Sequence, residues 1–128
     1  MPGIAVADLG GILRWVGLLD GPAPLLRRVV SADALLGEVI EYLKVRHDSD
    51  AAAVAADLTE IQLAVHEWYP TWPVAGRLAA LATTTGIDLD ATLLVPVAVA
   101  GETGLPLATT SEEIAELARP HVSAVVLL

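Results

Sequence analysis

At 128 residues the chain is long enough for one domain and too short for two, so residues 1–128 are read as a single domain. Hydrophobic residues make up 55% of it, which excludes disorder. Seven Lys and Arg against 16 Asp and Glu give a formal net charge of −9, which excludes a broad basic face for nucleic acid, and the lack of cysteine excludes disulfide frameworks, zinc–thiolate sites and cysteine nucleophiles.

In chain order, the short apolar run Ile4–Ala7 ends at Asp8 and Gly10-Gly11 and reads as a buried strand followed by a turn. A helix is expected over Ile12–Leu19, closed by Asp20-Gly21-Pro22. Arg28–Val30 is a second strand, and Ser31 is placed to cap a helix from Ala32 to about Arg46. The apolar positions of that helix, Leu35, Leu36, Val39, Ile40 and Leu43, share one face, and Glu38 lies on its flank. Asp48-Ser49-Asp50 ends this helix and caps the next, Ala51 to about Leu63. Ala64–Trp68 reads as a weak strand and Val74–Thr85 as a helix, with Gly86 at its C′ position. Asp88-Leu89-Asp90 opens a helix running to about Glu102 that is apolar on every side and therefore buried. A strand over Gly104–Ala108 follows, then a helix over Thr110–Ala118 with Thr110 and Glu113 at capping-box spacing, and a last strand over Val122–Val126. Apolar strand runs alternating with helices predict an α/β fold, a three-layer α/β/α domain with a mostly parallel four- to five-stranded sheet.

The apolar excess calls for a membrane test. The longest stretch nearly free of polar residues, Ala91–Gly101, is eleven residues interrupted by Pro96, whereas a spanning helix needs about 20. The N-terminal MPGIAVADLGG carries no Lys or Arg before its apolar residues and is broken by Asp8, so it is not read as a signal peptide. The expectation is a cytoplasmic protein without membrane contact, its apolar residues in a core or partly at a subunit interface.

Ligands of open α/β sheets bind at the C-terminal ends of the strands. Asp8 falls there, Glu38 lies early in the helix after the second strand, and Asp90 lies at the start of the buried helix. Carboxylates of this kind are hard oxygen ligands suited to Mg²⁺ or Mn²⁺, which serve phosphodiester chemistry. Thr109, Ser111 and Glu112 follow the fourth strand as auxiliary candidates. Each also has a plain structural reading: Asp8 and Asp90 as helix N-caps, Glu38 as a solvated helix residue, Thr109 as a strand-end threonine, Ser111 and Glu112 as first-turn residues. Arg14, Arg27 and Arg28 are the candidates for steering RNA, while Lys44 and Arg46 read as solvated helix surface. Trp15, Trp68, Trp72 and Tyr69 read as base-stacking residues or, with better odds, as core or partner contacts. His47, His66 and His121 make no metal-ligand spacing.

Taken together, the segments IAVADLGGILRWV, SADALLGEVIEYLKVRH, GIDLDATLLVPVAVAGETGLPLATTSEE and VSAVVLL resemble a PIN domain, most nearly the VapC-type toxin ribonucleases of toxin–antitoxin pairs. The resemblance covers nearly the whole chain. It implies that Asp8, Glu38 and Asp90 hold Mg²⁺ or Mn²⁺ at a cleavage site for single-stranded RNA. It further implies a basic antitoxin partner and a homodimer. The chain departs from the family pattern at three positions: Gly10 stands where Ser, Thr or Asn is usual, Ser111 where a fourth acid is usual, and Pro96 inside the helix of the third acid. These departures motivate the alternative of a catalytically impaired PIN-like binding module acting through protein partners. A phospho-receiver domain would need a lysine after its last strand, and the only lysine, Lys44, lies in a helix.

Overall fold

The computed structural model describes residues 3–22, 24–84 and 90–128. Five strands, β1 (Ile4–Ala7), β2 (Arg28–Ala32), β3 (Glu67–Tyr69), β4 (Leu107–Thr109) and β5 (Val125–Leu127), form one sheet in the order β3-β2-β1-β4-β5. All four pairings are parallel. The helices are α1 (Leu9–Trp15), α2 (Leu36–Arg46), α3 (Ala51–Ala64), α4 (Ala75–Thr84), α5 (Ala91–Thr103) and α6 (Glu112–Ala118). Among the described residues, no helix is long and apolar enough to cross a membrane.

Side chains alternate across a strand, and the sheet uses both faces. Val6, Val30 and Leu107 pack on one side with Val74, Leu81, Ile114 and the buried run Leu94–Ala100 of α5. Ala7 and Val29 pack on the other side with Ile12, Leu35, Val39, Leu43 and Ile61. The result is the three-layer α/β/α arrangement expected of apolar parallel strands, with α1, α2 and α3 on one face and α4, α5 and α6 on the other. The apolar middle of α5, Leu94–Ala100, is buried all round, as its composition requires, while Glu102 near the helix end is exposed.

Several element ends differ from the expected ones, each for a local reason. Gly10-Gly11 is not a turn but part of α1, which starts directly at its N-cap Asp8. The helix ends instead at Gly17, whose φ of +80° supplies the left-handed C′ residue. Leu18 N–H then reaches the Leu13 carbonyl at 2.8 Å and Gly17 N–H the Arg14 carbonyl at 3.3 Å, the Schellman pattern. Ser31 is not an N-cap. It lies in β2, fully buried, and its hydroxyl donates to the Ala7 carbonyl at 2.7 Å. A short 3-10 turn, Asp33–Leu35, intervenes before α2. The third strand begins later than expected because α3 runs to Ala64. A second 3-10 turn, Trp72–Val74, leads into α4. Gly104 ends α5 in the left-handed conformation, so β4 starts only at Leu107. The last strand likewise starts at Val125 rather than Val122. Ser111, not Thr110, caps α6 by accepting from Ile114 N–H at 3.2 Å. The expected C′ residue Gly86 and the helix-opening Asp88 lie outside the described residues.

The glycines in α1 serve close approach. A Cβ on Gly11 would stand 2.7 Å from the Ala108 carbonyl oxygen and 3.0 Å from Ala7 Cβ, both in the sheet. Gly11→Ala is therefore expected to destabilise the fold by about 1–3 kcal/mol, the cost of overpacking. Gly76→Ala, in the exposed first turn of α4 with nothing near its added Cβ, should be neutral or stabilise by up to about 1 kcal/mol. Urea unfolding midpoints of the two variants check both signs, and equal midpoints would contradict the packing of α1 on the sheet.

Candidate functional site

The strand order places a topological switch point between β1 and β4. From β1 the chain moves outward through β2 and β3, then returns to the opposite side of β1 for β4 and β5. Crevices outside the carboxyl ends of strands at such a point are the usual ligand sites of parallel sheets. Here a cleft of about 380 Å³ opens at that position, and its lining includes Asp8, Gly10, Leu35, Glu38, Thr92, Leu93, Pro96, Thr110, Ser111 and Glu113.

Asp8 follows the last residue of β1 and is held from two directions. Its Oδ1 accepts from Gly11 N–H at 2.9 Å, which caps α1. Its Oδ2 accepts from the hydroxyl of Thr109, the last residue of β4, at 2.5 Å. Thr109 Oγ1 in turn accepts from Ser111 N–H at 3.1 Å. Burial raises the Asp8 carboxyl above its ordinary value, outweighing the Thr109 and Gly11 hydrogen bonds that pull it down.

Glu38 lies in the first turn of α2 and also faces the cleft. Its carboxyl is raised by burial first, then by the negative charges of Asp90 and Asp8. Asp90 is the exposed N-cap of α5 and accepts from Thr92 N–H at 2.9 Å, which lowers its carboxyl. The fold thus brings Asp8 and Asp90, from distant parts of the chain, within electrostatic reach of Glu38, although Asp90 is not among the residues lining the cleft.

The auxiliary residues divide. Thr109 positions Asp8. Ser111 lines the cleft, with its hydroxyl engaged as the cap of α6. Glu113, not Glu112, is the acid of α6 that lines the cleft. Residues one apart on a helix point about 100° apart, so a one-residue difference in the start of α6 decides between them. Thr110 was not foreseen as a site residue. A Cβ on Gly10 would collide with the Thr110 hydroxyl, so that hydroxyl fills the space a side chain at position 10 would occupy. The sequence holds no short-range sign of this, because the two residues are 100 positions apart. Pro96 has no N–H to offer the Thr92 carbonyl one helical turn earlier, and both residues line the cleft.

The arginines are not brought to the cleft. Arg28 pairs with Ile4 at the opposite end of the strands, about 13 Å from Asp8 at 3.3 Å per residue. Arg27 precedes it and donates its backbone N–H to Gly3. Arg14 sits at the far end of α1, directed to the Pro22 carbonyl at 3.5 Å. Lys44 pairs with Glu41, and Arg46 donates to the Leu18 carbonyl at 3.1 Å. His47 pairs with Asp57 at 2.6 Å, while His66 and His121 are exposed. Trp15 and Trp68 pack against the core on the α2 side and Tyr69 on the α5 side. Trp72 is exposed.

The donor set can be tested against a divalent cation. Among the described residues, no three or more His, Cys, Asp or Glu side chains form a group able to hold a metal by themselves. Mg²⁺ does not require such a cage, since it is commonly held by one or two carboxylates, with water and substrate phosphate completing its shell. A carboxylate offers about four lone-pair positions, and Asp8 uses two of them in the hydrogen bonds above. Asp8 and Glu38 with retained water therefore fit a hydrated hard cation.

Comparison of the chain with protein-family models, with curated proteins and with solved structures finds no match.

The electrostatics give a signed prediction. Glu38 keeps its proton to a higher pH in the folded chain than in the unfolded one, so stability falls as pH rises from its ordinary value of 4.5 through the raised value. Above that window the charged Glu38 is a net cost. Glu38→Gln is expected to unfold at a higher urea concentration than the wild type at pH 7 and to lose that advantage below pH 4.5. Millimolar Mg²⁺ should raise the wild-type midpoint and leave the variant's unmoved. A variant less stable than the wild type at pH 7 would contradict the mutual repulsion.

Proposed function

We propose that the chain is a divalent-metal-dependent endoribonuclease of the PIN type, acting on single-stranded RNA as the toxin of a toxin–antitoxin pair. The observation that carries this reading is the meeting of Asp8 and Glu38 in the lining of the switch-point cleft, with Glu38 raised by burial and then by the charges of Asp90 and Asp8. Bound Mg²⁺ or Mn²⁺ supplies neutralisation of the phosphate and a water activated for attack. The chain's own part is to hold the ligand oxygens. The Gly11 N–H and the Thr109 hydroxyl fix the Asp8 carboxylate in one orientation. Glu38, whose proton is retained through burial and the two neighbouring charges, would serve as the second carboxylate ligand in its charged form. No Lys, Arg or His is among the residues lining the cleft, so an anionic substrate has no side-chain cation there to meet it.

The formal charge of −9 supports a basic protein partner as antitoxin. Exposed large apolar side chains such as Val45, Leu63 and Leu127 are consistent with a homodimer or a covered face. A second reading is favoured by one observation: no group of three or more ligand side chains able to hold a metal is found among the described residues. On that reading the PIN-like architecture is kept and catalysis is lost, so that the protein acts through partners.

An RNA cleavage assay separates the two. The purified protein, free of any partner, is expected to cut single-stranded RNA with Mg²⁺ or Mn²⁺ and to stop with a chelator. Asp8→Asn is expected to reduce cleavage to background while leaving the circular dichroism spectrum unchanged. Asn is chosen over Ala because its amide keeps the α1 cap and can donate to the Thr109 oxygen, whereas losing a cap costs about 1 kcal/mol. Metal-independent cleavage, or undiminished cleavage by Asp8→Asn, would overturn the assignment. No cleavage under any metal would favour the binding module.

A further inference from the structure

We infer that Trp72 is a stacking platform for an unpaired base of the strand that enters the cleft. This rests on reading the cleft as a phosphodiester site, and it names the contact by which that site grips single-stranded nucleic acid.

Trp72 is 88% exposed, while the other two tryptophans are partly buried. An indole left in water forgoes a large apolar contact. It sits in the 3-10 turn after β3, and so at the same carboxyl edge of the parallel sheet as Asp8. Two strand spacings, about 10 Å at 4.8 Å each, separate β3 from β1 along that edge. The turn is held in place. Pro70 and Pro73 flank Trp72 and fix their own φ angles. Val74, buried at 5% exposure, anchors the turn in the core, and its N–H donates to the Thr71 carbonyl at 3.0 Å. The Thr71 hydroxyl donates to Asp33 Oδ1 at 2.8 Å. Asp33 opens the 3-10 turn that leads into α2 and Glu38. The turn that carries the indole is thereby tied to the element carrying a cleft carboxylate.

The chemistry of the cleft calls for such a contact. Its lining supplies no side-chain cation to the backbone phosphates, and Arg14, Arg27 and Arg28 lie elsewhere. Beyond the hydroxyls of Thr92 and Thr110, affinity for a strand then draws on the metal and on the bases. An exposed, anchored indole binds any base through its π-face, which needs no positive charge.

The test separates binding from cleavage. A fluorescently labelled single-stranded oligodeoxynucleotide, which lacks the 2′-hydroxyl of RNA, is titrated with the wild type, Trp72→Ala and Trp72→Phe in Mg²⁺, with anisotropy as the readout. Trp72→Ala is expected to bind about tenfold more weakly, the loss of one base–aromatic stack, and Trp72→Phe to recover most of that loss. In RNA cleavage Trp72→Ala should raise KM with kcat kept. Equal affinity of the wild type and Trp72→Ala would overturn the inference. So would a fall in oligomer mass by light scattering with unchanged oligonucleotide binding, which would assign Trp72 to a protein interface. Trp72-dependent binding without cleavage would uphold the inference and remove the catalytic reading. Cleavage with the same KM in Trp72→Ala would do the reverse.

Discussion

The hydrogen bond from Thr109 to Asp8 joins the ends of two strands at the one place where the chain reverses its direction of travel across the sheet. On the β1 side, the same carboxylate caps α1 through Gly11. On the β4 side, Thr109 accepts from Ser111 N–H, just before α6. Asp8 thus joins the ends of two strands and starts α1, while Ser111, bonded to Thr109, starts α6. The cleft lies between those helices, α2 and the first turns of α5. Gly11 lets α1 press against β4, and Gly10 leaves room for the Thr110 hydroxyl.

The charge of the cleft is also a consequence of this geometry. Parallel strands with both faces covered leave only their ends open to solvent. Asp8 lies at such an end, and Glu38 of α2 lines the same cleft. Burial raises Asp8 and Glu38, the charges of Asp90 and Asp8 raise Glu38 further, and the α5 cap hydrogen bonds lower Asp90. Without a counter-ion the arrangement costs stability, and a bound divalent cation would relieve that cost. Two cleft carboxylates, Asp8 and Glu38, whose charged forms burial disfavours, are what link the fold to the proposed chemistry. Seen in this way, the overall acidity argues against a basic RNA-binding face while leaving metal-mediated phosphate chemistry open.

Most of the element order was legible in the sequence, because apolar runs of strand length and amphipathic helical faces alternate along it. The ends of elements were less so. Gly10-Gly11 has the composition of a turn, yet tertiary packing places both residues inside α1, and Gly17 supplies the actual stop. Ser31 has the chemistry of a cap, but its hydroxyl meets the Ala7 carbonyl across the sheet. Asp8 could be placed at the cleft from its strand-end position and Glu38 from the flank of its helix, whereas Asp90, picked out as a helix start and from the resemblance, caps α5 outside the cleft lining. Thr110 and Glu113 could not, since one depends on a contact 100 residues apart and the other on the starting residue of a seven-residue helix. The arginines were chosen for charge alone, and charge carries no information about which edge of the sheet a residue occupies.

The central claim is that a divalent cation binds between Asp8 and Glu38 at the switch point. Crystals soaked in Mn²⁺ test it most directly, because the anomalous signal of the ion locates it without reference to activity. The account predicts a single strong peak within coordination distance, about 2.2 Å, of an Asp8 or Glu38 oxygen. It also predicts that the peak is absent in Asp8→Asn crystals. Peaks only elsewhere on the acidic surface, or none at saturating Mn²⁺, would contradict it.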